Sequence, residues 1–509
     1  MTMRILWIDD EIDLLRPYIY SLRQKGYEVE TATNGPDGLE LVKTKDFDLV
    51  LLDEIMSGMD GLAVLKRLKE IDPHILVAMV TKSEEEALMN EAYAKLVDDF
   101  VVKPFTPIQI TAVLKRLLEK KKLISERIAQ DYATTIAQIQ TYDFNHQDWL
   151  NYYISSIRWA NLLQRFGDEA LKESFEQIRR ENNSVFSRYI TEVYRDWLKG
   201  KNSPILSHQF LEIFILPRLG KKPHYLFIFD SMRLDQWFIL VPILREFFEV
   251  ETKYFYSILP TATPYARNAM FAGLLPLTIL RNYPSLWVFD ETGQNRFEPE
   301  LLQHQLARHR YQGKTVFLKV AHNEDIAVNR PAFLARENQF AILVVNFLDL
   351  LIHSIKTNQL LEEIVTSEYS LLGLTRLWFT GSEIYRILME LRKRDCEITI
   401  TSDHGFIKVG RPLVIYGGRE ISTNLRYKYG GALRTDERNA ILLSDPEEFM
   451  LPREHLGTKF AIAKSDYYFI YPTKPREYEK TYKYTYQHGG VSLEEMILPV
   501  GILKPKGLG

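Results

Sequence analysis

Residues 48–53, DLVLLD, make an apolar run of strand length that stops on a carboxylate, and the first quarter of the chain reads outward from it. Runs of the same kind recur as RILWI at 4–8, VETAT at 29–33, ILVAMVT at 75–81 and DFVVK at 99–103, with amphipathic stretches such as Leu14 to Lys25 and Gly38 to Lys45 between them. Short apolar strands alternating with segments of helical period imply parallel strands joined by crossover helices. Five repeats in so few residues predict a small, doubly wound (βα)5 sheet. The carboxyl ends of such strands open onto one crevice. Asp9 and Asp10 after the first strand, Asp53 after the third, Thr81 after the fourth and Lys103 after the fifth are therefore expected to meet there. Three carboxylates suit Mg²⁺, which would hold a phosphoryl group in line with a carboxylate nucleophile, and Asp53 is the candidate. The Thr81 hydroxyl and the Lys103 ammonium could then contact the transferred group. An Asp pair after a strand is by itself more often a turn or a cap. The ordered set of five carries the reading.

From Glu119 the pattern turns helical, through EKKK, ISERIAQDYATTIAQIQ and the spacing of Leu150, Ile154 and Ile157, until the breakers GKNSP at 200–204. Beyond them lie strand candidates HYLFIFD, the run up to Leu259, AILVVNF, EITITSD and EMILPVGIL, separated by helix-like segments such as Glu383 to Arg394. These predict a second α/β layout with a mostly parallel sheet. The expected domains are 1–119, a helical linker at 120–204, and a larger α/β domain at 205–509. A length of 509 residues fits about three domains. With 46% hydrophobic and 26% charged residues, the composition is globular. A net charge of −3 argues against a strongly basic nucleic-acid surface, so no direct DNA binding is expected. The single cysteine, Cys396, fits a reducing compartment. No apolar leader opens MTMRILWIDDE, and the longest greasy stretch, Ala341 to Ile352, is interrupted by Asn346 and Asp349. A cytoplasmic protein that does not enter a membrane is the expectation.

The third domain carries its own constellation. Asp230 closes HYLFIFD; Thr263 precedes Pro264 and is expected at a helix N-cap; Asp349 and His353 are four apart; Asp403 and His404 end EITITSD; His488 precedes two glycines. Mixed imidazole and carboxylate donors suit Zn²⁺, with Mn²⁺ as the alternative, and seven donors are too many for one tetrahedral ion. Two ions together clamp an in-line phosphoryl displacement. Arg233 and Arg267, just after Asp230 and Thr263, are candidates for binding the phosphate, and Tyr265 for stacking on a base.

The motifs WIDDE, LLDEIMSGMDG, MVT and VVKPF resemble the receiver domains of two-component response regulators. That resemblance implies phosphorylation of Asp53 by a sensor histidine kinase, Mg²⁺ held by Asp10 and Asp53 with help from Asp9, a switch movement of Thr81, and an ion pair from Lys103. Two positions depart from the family pattern: Ser57, where proline is frequent, and Phe100, where tyrosine is common. The motifs FDSMR, LPTATPYARNAMFAG, DLLIH, TSDHGF and HGGVSLEEMILP resemble the alkaline phosphatase superfamily, within it the PglZ-type domain. By that resemblance one Zn²⁺ would be held by Asp230, Thr263, Asp403 and His404, the other by Asp349, His353 and His488, with Thr263 as nucleophile. The implied activity is a zinc-dependent phosphodiesterase acting on nucleotides or oligonucleotides. The order of the three parts is similar to a family of response regulators associated with type IX secretion in Bacteroidota. Homodimerisation on phosphorylation, through the fourth and fifth receiver helices and the fifth strand, follows from the receiver resemblance. The alternative is a non-catalytic, metal-stabilised binding module that signals through a protein partner such as a sigma factor.

Overall fold

The computed structural model describes residues 3–506 apart from 46, 72–74, 83–95, 142–143, 167–168, 292, 419–421 and 474. The chain forms two compact units, one of residues 1–142 with 159–172, the other of 143–158 with 173–509.

In the first unit five parallel strands, β1 (Arg4–Ile8), β2 (Glu28–Ala32), β3 (Leu49–Asp53), β4 (Leu76–Thr81) and β5 (Asp99–Val102), lie in the order β2-β1-β3-β4-β5. Successive side chains point to opposite faces, and both faces of a parallel sheet are buried. Ile5, Trp7, Leu49 and Leu51 accordingly pack into one core with Ile110 and Leu114, while Leu6, Ile8, Val50 and Leu52 pack into another with Val64 and Leu68. Helices α1 (Arg16–Gln24), α2 (Gly35–Thr44) and α3 (Gly61–Ile71) cross between the strands. The segment expected to hold the fourth receiver helix falls mostly within 83–95, outside the described residues. The fifth, α4 (Pro107–Thr141), is 35 residues long and does not stop at residue 119. Nothing between Leu117 and Ile128 breaks a helix: there is no glycine or proline in the run.

Two further helices, α5 (His146–Phe166) and α6 (Glu169–Trp197), follow. In the second unit α6 joins the α/β domain: Phe186, Ile190 and Tyr194 are fully buried. The main sheet holds β6 (His224–Phe229), β7 (Phe248–Tyr256), β8 (Thr315–Val320), β9 (Phe340–Val345), β10 (Glu397–Thr401) and β11 (Ile497–Pro505), in the order β7-β11-β10-β6-β9-β8. Strands β10, β6, β9 and β8 pair in parallel, whereas β11 is antiparallel to both β10 and β7. Two antiparallel steps leave β7 running the same way as β10. The carboxyl ends of β6, β7, β9 and β10 and the amino end of β11 therefore share one edge. The sequence did not signal β8; its TVFLKV is only half-buried at the sheet edge, with a lysine in the run.

Four more helices are needed below: α7 (Leu234–Arg245), α8 (Thr263–Ala272), α9 (Phe347–Ser354) and α10 (Glu368–Gly381). Thr263 is the first residue of α8, and Ala262 occupies the N-cap position without a side-chain cap bond. This corrects the expected N-cap role. Pro264 has fixed the first turn, and the threonine hydroxyl is left for the site.

Candidate active site

The receiver crevice brings together Asp9, Asp10, Asp53 and Lys103 of the five residues read from the strand ends. The Lys103 ammonium lies 2.8 Å from Asp53 and 3.3 Å from Asp9. Asp9, Asp10 and Asp53 each offer an oxygen, all within 4.8 Å of one another. Burial pushes the Asp53 carboxyl above its ordinary range, against the hydrogen bond from Lys103. Burial also works against the charge on Lys103, but Asp53 and Asp9 outweigh it and hold the ammonium above its usual value. Three carboxylates around one ammonium are left with an excess of negative charge, which fits a divalent cation. The Thr81 hydroxyl donates to the Glu54 carboxylate. Ser57 has a use that proline could not supply: its amide donates to Asp10 Oδ2 at 2.8 Å and lowers that carboxyl's pKa. A Cβ on Gly61 would collide with the Asp53 carbonyl oxygen, so the turn after Asp53 admits only glycine.

In the α/β domain Asp230 follows β6, Thr263 opens the helix after β7, Asp349 and His353 lie on the helix after β9, Asp403 and His404 follow β10, and His488 precedes β11. The shared sheet edge brings all seven together as two groups. Asp230, Asp403 and His404 are buried and offer ligand atoms within 4.8 Å of one another, as do Asp349, His353 and His488. The groups abut, since the His404 and His488 rings stack with centroids 4.3 Å apart. Thr263 Oγ1 lies 3.0 Å from His404 Nε2 and 3.3 Å from Asp230 Oδ1.

Several observations make these groups fit cations. Asp403 Oδ2 is buried and accepts no hydrogen bond. Burial pushes the Asp403 carboxyl well up, and the neighbouring Asp230 charge adds to it. His404 Nδ1 faces the Gly405 carbonyl at 3.1 Å, a pure acceptor. It must therefore carry the proton, leaving Nε2 bare toward the site. In the other group His353 Nε2 and His488 Nε2 are 3.2 Å apart and both approach Asp349 Oδ1, at 3.5 and 3.3 Å. Burial opposes the Asp349 charge, but the two imidazoles hold its carboxyl well below the usual range. Three donors aimed at one point are what a cation would organise.

The two arginines are corrected. Arg267 is 1% exposed, donating from Nε to Glu298 and from Nη1 to Asp230, each at 2.7 Å. Arg233 is equally buried; it pairs with Asp235 and Glu368 and lies over the Phe406 ring. Both guanidiniums are committed to carboxylates, so they position protein groups rather than a phosphate. Tyr265 is buried edge-on to Tyr427 and lines a cavity of about 360 Å³ with Trp287, Tyr429 and Phe460.

Sequence reasoning missed Ser231 and Glu298. Ser231 takes a left-handed backbone, φ 66°, rare for a residue with a Cβ, and its hydroxyl donates to Asp349 at 2.8 Å. It thereby ties the carrier of one group to a ligand of the other. The signal was its place inside FDSMR. Glu298, 0% exposed, bridges Arg267 and Lys319, and no local pattern marks it.

Comparison with known proteins finds three consecutive matches along the chain. Residues 5–115 match the response regulator receiver domain, 122–198 the PorX response regulator linker domain, and 213–502 the BREX system PglZ alkaline phosphatase-like domain. Among curated proteins the chain is 31% identical over 123 residues to the alkaline phosphatase synthesis transcriptional regulatory protein PhoP of Bacillus subtilis, covering 24% of this chain and 51% of that protein. It is 28% identical over 140 residues to the transcriptional regulatory protein SrrA of Staphylococcus aureus, covering 28% and 58%. The chain thus spans little more than half the length of these relatives. Similar solved structures include the chemotaxis protein CheY4 of Vibrio cholerae, at 27% identity and a TM-score of 0.22, covering 23% of this chain and 99% of that one. The response regulator TrrA of Thermotoga maritima, solved with Mg²⁺ and BeF, is 28% identical with a TM-score of 0.22, covering 23% and 98%. Receiver domains bind Mg²⁺ and take their phosphoryl group from a kinase, and alkaline phosphatase-like domains usually use metals. Among the described residues no helix is long and apolar enough to cross a membrane. With the phosphatase-like model covering more than half of the chain behind a receiver and a linker, the chain belongs to the PglZ alkaline phosphatase-like family, in the arrangement of PorX-like response regulators.

Proposed function

We propose that this protein is a response regulator, phosphorylated on Asp53, whose output is a zinc-dependent phosphodiesterase acting on nucleotides or oligonucleotides in signalling to type IX secretion. One observation carries the enzyme reading: the Thr263 hydroxyl, unused for capping, sits at a helix N-terminus against His404 and Asp230. A structural metal site has no need of a hydroxyl there, and a helix N-terminus favours the negative charge of an alkoxide or phosphate.

Asp230, Asp403 and His404 with Thr263 would hold one ion, and Asp349, His353 and His488 the other. When bound, two such cations neutralise charge on the phosphoryl oxygens and activate the attacking groups. Thr263 Oγ attacks phosphorus in line, its proton is given up as the bond to the leaving alcohol breaks, and the other half of the diester stays joined to Thr263 through its phosphate. Water then attacks phosphorus from the vacated side, breaks the bond to Thr263 and restores the hydroxyl. The amino end of α8 faces the phosphate, Ser231 orients Asp349, and Arg267 fixes Asp230. An aromatic-lined cavity beside α8 favours a substrate bearing a base over a simple phosphate ester.

Elemental analysis paired with hydrolysis of a dinucleotide tests the reading. About two zincs per chain with turnover is the expected outcome; metal without turnover would favour the binding module. Chelation is expected to lower the melting temperature of the metal-replete protein, and added Zn²⁺ to restore it, because the ions bind only the folded arrangement of donors. On the receiver side, Asp53→Asn is expected to abolish labelling by a small phosphodonor such as acetyl phosphate, read as intact mass. Full labelling of that variant would move the acceptor elsewhere.

A further inference from the structure

Four polar residues of α6, Arg179, Asn183, Ser187 and Tyr194, fall within about 80° of one another on the helix at 100° per residue. Within the second unit each one reaches a segment that bears a member of the metal groups. Arg179 makes a two-pronged pair with Glu368 of α10, at 2.7 and 3.0 Å, and the same carboxylate takes Arg233, three residues after Asp230. The Arg179 Nε also lies 3.3 Å from Glu494. Asn183 donates to Glu494 at 2.8 Å and accepts from the Leu493 amide at 2.9 Å. The Ser187 hydroxyl shares its proton between the Asn183 carbonyl at 2.7 Å and the Val491 carbonyl at 2.9 Å, and accepts from the Ser465 amide at 3.0 Å. Both act on the stretch that follows His488. The Tyr194 hydroxyl accepts from the Leu259 amide at 2.8 Å, four residues before Thr263. Thr261 closes the set, donating to the Gly490 carbonyl at 2.7 Å and accepting from the Gly489 amide.

We propose that this face of the linker helix is a positioning element of the metal centre, holding the three segments that carry Asp230, Thr263 and His488. Buried polar groups keep fixed partners, so a bond from α6 to a loop fixes that loop's backbone. Asn183 and Ser187 are 2% and 0% exposed, and neither can turn to water. The linker then sets ion affinity: any change in α6 is felt at His488 through two side chains and fewer than ten residues of loop. No residue of this face touches the reacting atoms; each acts through a loop.

The same helix supplies the control. Asn182, the neighbour of Asn183 and 6% exposed, donates at 2.7 Å to Tyr152 of α5 and to none of the three segments. Asn182→Ala and Asn183→Ala both delete a buried amide hydrogen bond, so a purely structural role predicts that they behave alike. The inference rests on the metal reading above. The test is Zn²⁺ affinity of the full chain by competition with a chromogenic chelator, at a temperature where melting curves show each variant folded. Loss of a supporting partner weakens a metal site by 10- to 100-fold, so Asn183→Ala and Ser187→Ala are expected to bind Zn²⁺ roughly tenfold more weakly, and Asn182→Ala within about twofold of wild type. Should Asn183→Ala not fold, Ser187→Ala, a loss of one oxygen, decides. Equal affinity in all four proteins overturns the proposal while leaving the metal site standing. A wild type that binds no Zn²⁺ overturns both.

Discussion

Thr263→Ala is expected to lower phosphodiester hydrolysis by at least about 10³-fold, because it removes the atom that forms the covalent intermediate. The substitution is mild for the fold. Thr263 takes no part in capping, and alanine is a good helix former at the first position of α8. Asp230, Asp403 and His404 remain as three donors on the same ion, so zinc content measured alongside should stay near that of the wild type. Loss of turnover with metal retained then isolates the nucleophile. Unchanged turnover would mean that water is activated directly, and retained signalling by the variant would transfer the role to a binding module.

The largest expected effect on stability is at Arg267. Its guanidinium is buried and bridges Asp230 and Glu298, with Asp403 at 3.6 Å and Lys319 on the far side of Glu298. Removing one partner of a buried pair strands the other charge, at a cost of about 3–5 kcal/mol. Arg267→Met keeps the volume and drops the charge, so denaturant unfolding of the metal-free protein should report a loss of that size. Zn²⁺ should narrow the gap, since a cation on Asp230 and Asp403 takes over part of the compensation. Arg267→Lys is expected to recover only part, because an ammonium lacks the fork that serves two carboxylates. A full-sized loss that Zn²⁺ leaves unchanged would show that Glu298, not the metal-facing carboxylates, is what Arg267 serves.

How far the fold could be read followed how local its causes were. The central receiver strands β1, β3 and β4 were legible because each is a short apolar run with both faces buried, and Asp9, Asp10 and Asp53 stand at the ends of such runs. β8 was not, for it is an edge strand whose lysine and half-burial blur the pattern. Helix past residue 119 was legible from its period, but that it continues α4 without interruption showed only as a missing breaker. Ser231 lay within a motif whose role was read from its neighbours, and its φ of 66° leaves no mark in a sequence.

The seven donors of the α/β domain could be picked out because strand ends and helix starts carry them, and the rule that such ends converge is set by the parallel sheet itself. Their division into two groups agrees with the family resemblance, but their contact distances depend on strand order. The order β7-β11-β10-β6-β9 alone puts residues up to 258 positions apart on one edge. The arginines are the clearest case of the difference. Sequence places Arg233 and Arg267 beside the right aspartate and threonine, and a phosphate is a reasonable partner for a guanidinium so placed. Only the tertiary structure supplies Glu368 and Glu298, brought in from 135 and 31 residues away, and a buried charge takes the carboxylate that packing delivers. Residue type, period and order therefore determined which chemistry this chain carries and on which strand ends. Long-range packing decided which groups line the two donor clusters and which hold them in place, because burial and pairing are properties of neighbours that the sequence does not list.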